Sequence, residues 1–202
     1  MALADRNTSD RSVSWHSAPR AQSLAEKVRG AVAASWGVLG VFLLISSAVY
    51  RLIPIAVDAL TETLAWYHWT TLLLLLVFML YSEGYRGFQL GFSPRVAARA
   101  KYLRYHPRFW HALFAPLFCM GYFHATKKRQ YTSILVTLTI VIFVVLAHQL
   151  VQPWRGILDV GVVAGLVWGL GSLVVFSYVA FTSEKFDYSP DIPVGLSNQA
   201  SR

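Results

Sequence analysis

Cysteine is almost absent: the chain carries one, Cys119, among Phe118, Met120 and Phe123. One thiol closes no intrachain disulfide, and no Cys/His spacing resembles a zinc site. A free cysteine in such company is a small apolar filler. Charge is scarce too. Only 14 % of the 202 residues are charged, against roughly 25 % in soluble domains. Also missing are a Gly-x-Ser-x-Gly elbow, a Walker loop, a zinc-protease helix and the repeated histidine boxes of membrane di-iron enzymes. No internal repeat or low-complexity tract is visible. These absences exclude a disulfide scaffold, a large soluble core and the best-marked enzyme classes.

What the chain has is apolar runs near the roughly 20 helical residues that a hydrocarbon core requires. They predict an all-α integral membrane protein with four transmembrane helices at about residues 31–50, 66–82, 131–151 and 157–181, arranged as two antiparallel hairpins. The second hairpin is expected because only a tight turn at 152–156 joins its helices. Fourteen of the eighteen Lys and Arg residues fall in 6–29 and 86–129. Retention of cations on the cytoplasmic side then places both chain ends in the cytoplasm, in a membrane of the bacterial inner-membrane type. Residues 1–30 and 183–202 read as disordered cytoplasmic tails. The first apolar run starts too late and is too long for a cleavable signal.

Two further segments are expected to lie on the membrane. Between spans one and two, Ile53, Val57, Leu60 and Leu64 recur at helical spacing opposite Asp58 and Glu62, which suits an interfacial helix with Pro54 in its first turn. Within the basic connection 83–130, residues 109–123 are apolar but short, and broken by Pro116 and Gly121. A crossing there would carry Lys127, Lys128 and Arg129 outside. An interfacial or re-entrant helix is therefore expected, with a five-span chain as the rival. Ser93-Pro94 reads as a helix start. The helix behind it would place Arg95, Arg99, Lys101, Arg104 and Arg108, with Lys127, Lys128 and Arg129, against anionic lipid or an acidic protein surface.

Few residues point to chemistry. Gly161, Gly165 and Gly169 form a stripe along which another backbone can pack closely. The expected partner is span one or three of the same chain, a second copy, or another protein's helix. His68 and His148, at similar depth on two spans, are the minimum ligand pair for a b-type haem or a quinone site. Asp159 could pair with Arg155 or Arg51 in an outer-surface charge network. Glu83, Arg86, His106, His111 and His124 offer acid–base types in the basic connection, without the clustering that an active site needs.

The expectation is thus a non-enzymatic membrane accessory protein, whose partners are membrane lipids and a membrane protein or a second copy. No cofactor and no nucleic acid is expected. A small redox subunit with haem or quinone at His68 and His148 is the alternative, and an interfacial enzyme acting on lipid headgroups is the third reading.

Overall fold

Among the described residues, four helices are long and apolar enough to cross a membrane: Leu24–Thr61, Trp66–Tyr105, Arg129–Ala147 and Trp154–Thr182. The computed structural model describes residues 23–106, 113–123, 125–183, 186, 188 and 190, apart from the side chain of Lys128. No strand occurs among them. The elements are α1 (Leu24–Thr61), α2 (Trp66–Met79), a π-helical segment (Leu80–Phe92), α3 (Ser93–Tyr105), α4 (Ala115–Met120), α5 (Lys127–Ala147) and α6 (Trp154–Thr182).

Helix α1 begins earlier and ends later than its apolar run. Ser23 starts it through a capping box: Glu26 N–H donates to Ser23 Oγ (3.2 Å), and Ser23 N–H donates to Glu26 Oε2 (3.0 Å). Residues 23–30 are therefore structured, not part of a disordered tail. The expected interfacial helix is likewise a continuation of α1, which passes through Pro54 without ending. The reason lies in packing. Ala56 and Ala59 are buried, and a methyl group on Gly156 of α6 would stand 2.1 Å from Ala59 Cβ.

Nor does the second helix stop at residue 82. Trp66–Tyr105 is one helix of 40 residues, about 60 Å at the α-helical rise. Its middle section has π-type turns, which are wider and rarer than α. Ser93-Pro94 lies inside this helix, and the Ser93 hydroxyl pairs with that of Ser172 on α6 at 2.7 Å. The first half of the basic connection is thus an extension of span two.

Helix α4 is too short to cross a membrane, so four spanning helices are present among the described residues, without a fifth. Gly121 ends it at φ +88°. Gly121 N–H donates to Phe118 O (3.0 Å) and Tyr122 N–H to Leu117 O (3.2 Å), a Schellman closure that favours glycine at this position.

The glycine contacts fix the register. Along α6, Gly161 faces Leu75 and Met79, Gly165 faces Glu83, and Gly169 faces Phe88, so α6 runs parallel to the second helix. Helix α1 runs antiparallel to both, with Gly30 against Arg104 and Ala59 against Gly156. The main core forms where the first half of α1, α3, α4 and the end of α6 meet, around Val41, Val96, Leu103, Phe118 and Leu173.

Helix α5 is the exception. Its residues 134–146 are all exposed, and its contact with the other helices is at most marginal, so no packing between α5 and α6 supports the expected second hairpin. Its surface, from Ile134 to Val145, is bulky and largely β-branched, and the glycine face of α6 is already filled by the second helix.

Candidate functional site

The most unusual side chain in the molecule is Arg99, a cation only 2 % exposed. Burying a guanidinium is costly unless its donors are satisfied. Here Nε donates to Phe118 O (2.6 Å), Nη1 to Pro190 O (2.9 Å) and Nη2 to Phe123 O (2.7 Å). The guanidinium also lies 4.4 Å from the centre of the Phe118 ring. One side chain thereby ties α3 to α4, to the turn after it, and to the segment beyond α6.

Its neighbours act in the same way. Lys101 Nζ donates to Ser183 O (2.7 Å) and Arg104 Nη1 to Phe181 O (3.3 Å). These carbonyls belong to the end of α6, where peptide oxygens lack intrahelical partners and the helix dipole favours cations. Phe186 is buried beside Ala97, Ala98 and Ala180. Phe186 is thus packed on α3 and Pro190 is held by Arg99, although residues 183–202 are expected to be disordered.

This corrects the expected lipid contact of Arg99, which is buried. Arg99 is a structural centre, and Lys101 and Arg104 cap α6. The physical reason is that these cations face the carbonyl ends of neighbouring segments, which offer stronger partners than headgroups across water. Arg95 and Lys127 are exposed and Arg129 is half-buried, with its side chain near Gly121. Arg108 and the side chain of Lys128 lie outside the described residues.

The glycine stripe packs within the chain, but against the second helix instead of span one or three. Methyl groups on Gly161, Gly165 and Gly169 would stand 3.1 Å from Met79 Cγ, 3.1 Å from Glu83 Oε2 and 2.6 Å from Phe88 Cγ. That face has no room for a further helix.

His68 and His148 each make a local hydrogen bond to the backbone. His68 is buried, and its Nδ1 accepts the Ala65 N–H at 3.2 Å. Its ring meets Trp154 edge-on, with centroids 4.9 Å apart. His148 is exposed, with Nδ1 2.7 Å from Val144 O. Asp159 is paired with Arg155 at 4.0 Å, as expected, but is 5 % exposed and so not at the surface. Among the described residues no cluster of three or more His, Cys, Asp or Glu could hold a metal. His111 and His124 lie outside them.

Cys119 is buried. A methyl group on Gly37 of α1 would lie 2.8 Å from its sulfur. Burial pushes the thiol up to about 12, so it stays protonated and unreactive at neutral pH.

Glu83, one of the acid–base types of the basic connection, instead lies in the helix–helix seam opposite Gly165, a place that its sequence neighbours do not reveal.

Fold and site together define an all-helical protein with four helices fit to span a membrane, whose buried cation fastens one end of the bundle. No known protein family, curated protein or solved structure matches the chain.

Proposed function

We propose that the chain is a non-enzymatic, multi-pass accessory protein of the bacterial inner membrane that assembles with a partner through α5. The observation that carries this reading is the isolation of α5. Its base is fastened by Ser133 Oγ to Met120 O (3.2 Å) and by Tyr122 to Thr137. Its top joins α6 through residues 148–153 only. A connection that short ordinarily makes neighbours of the helices it joins. Both ends being tethered, the exposed flank of α5 is a face kept for another helix. The glycine face cannot serve, because the chain fills it.

The reading includes an orientation. Arg95, Lys127 and the cations that cap α6 gather at one end of the bundle, together with the start of α1 and the end of α6. The positive-inside rule makes that end cytoplasmic, with both chain ends there. The exposed Arg86, Arg95 and Lys127 remain for anionic lipid or an acidic protein surface, each worth on the order of 1 kcal/mol.

The test is photo-crosslinking in native membranes, with a probe at Leu138 or Val145 on α5 and a control at Leu74 on α2, all three exposed. A discrete protein adduct from α5 alone is the expected result. Lipid adducts only, from both helices, would remove the reading.

A further inference from the structure

An apolar crevice of about 520 Å³ opens between the outer end of α1 and the second helix, floored by α6. Ile53 and Val57 form one wall, Leu80 the other, and Ala164, Val167 and Trp168 the floor. At the end marked by Leu80 and Trp168 the next turn of the second helix carries Gly84, which lies against the Trp168 side chain, and Glu83.

Glu83 is half-buried, packed on Gly165 in a stretch of α6, residues 160–182, that holds no charged side chain. Among the described residues its carboxyl makes no hydrogen bond and no ion pair. The donors nearby are committed elsewhere: Trp168 Nε1 donates to Gln89 Oε1 (2.9 Å), and Ser82 Oγ to Phe78 O (2.7 Å). Arg86 on the same segment is exposed and forms no pair with it. Ionisable side chains in a spanning helix are expensive and persist where they meet a partner. The chain also spends a glycine on making room for this one.

We propose that Glu83 and the crevice together receive a partner's transmembrane helix bearing one Lys or Arg: the aliphatic face of that helix fills the crevice and its cation meets Glu83. Charge complementarity selects this occupant over an acyl chain, which would fill the crevice and leave the carboxyl unanswered. The inference rests on the assembly reading above and names the chemistry of the partner.

The test uses model peptides in phosphatidylcholine vesicles. One is a leucine–alanine helix of about 20 residues with a single central Lys; the other has Leu at that position. Energy transfer from the labelled full-length protein should show at least tenfold tighter association with the Lys peptide. Glu83→Gln should reduce it to the level of the Leu peptide. Equal association of the two peptides with the unaltered protein overturns the inference, as does a Lys preference that survives Glu83→Gln. Glu83-dependent transfer between two labelled copies, without peptide, would assign the cation to a second copy and overturn the heterologous partner. Protection of Cys119 from maleimide confirms that the variant is folded. If it is not, the peptide comparison on the unaltered protein decides alone. Capture at α5 with no Lys preference would remove this inference and leave the assembly reading standing.

Discussion

The two ends of the bundle are built on opposite rules. At the end where α1 begins and α6 finishes, side chains reach across long sequence separations to backbone carbonyls, and Arg99 alone joins three segments. At the other end, α1, α2 and α6 meet largely through small residues and apolar contact, with Ala59 on Gly156 and Leu75 beside Gly161. In lipid, helices gain little hydrophobic drive from meeting, so close approach of backbones must supply the attraction. Where water is near, a cation satisfying orphan carbonyls can hold the same helices. One chain uses each device where its surroundings make it effective.

The sharpest way to break this comparison is to remove the buried cation. Arg99→Ala leaves three carbonyls without their donor, and each buried acceptor left unsatisfied costs about 1–3 kcal/mol, so this loss should be the largest. Cys119 packs in the same core, so maleimide labelling of this single cysteine reports the loss. The unaltered protein should resist labelling at pH 8, and Arg99→Ala should label readily.

Next come the close approaches. A methyl group on Gly30 would stand 2.0 Å from Arg104 O, and one on Gly156 2.1 Å from Ala59 Cβ. Overpacking of this kind typically costs about 1–3 kcal/mol. Gly30→Ala should also loosen Cys119, whereas Gly156→Ala should lower the melting temperature in detergent with less effect on labelling. Equal labelling of the two variants would show that the ends are not separately built.

A smaller effect is expected from Lys101→Ala, which removes one cation from the end of α6 and should cost about 1 kcal/mol in thermal unfolding. Smallest of all is Gly171→Ala. Its methyl group would meet nothing within 4 Å, and the helix gains up to about 1 kcal/mol from alanine. It should be neutral or slightly stabilising, in contrast to Gly165→Ala one turn and a half earlier.

Much of the membrane half is legible in the chain, because span length and charge placement are local properties. The four apolar runs, the break at Gly121 and the shortness of the apolar segment 109–123, of which 109–112 lie outside the described residues, are all written in short windows. The Ser23-x-x-Glu26 capping box was equally readable, yet the cations around it suggested a tail. Continuity from α2 into α3 was hidden by composition: Glu83, Gly84, Gly87 and Gly91 resemble a loop until Gly84 is seen to admit Trp168. The role of Arg99 left no trace at all, since its acceptors Phe118 and Pro190 lie 19 and 91 positions away. A guanidinium on a basic amphipathic helix looks the same whether it meets lipid or carbonyls. Nothing in the spacing of α5 foretold that it would stand apart from α6.

Arg99 is spent inside the molecule, whereas Arg95, four residues earlier, is exposed to its surroundings. Thermal unfolding of Arg99→Lys and Arg95→Gln in the same detergent, followed by flotation with anionic vesicles, separates the two most directly. Lysine cannot reproduce the guanidinium fork, so Arg99→Lys should melt several degrees lower, whereas Arg95→Gln should melt unchanged and bind vesicles more weakly. An unchanged melting temperature for Arg99→Lys, with vesicle binding lost instead, would contradict this division.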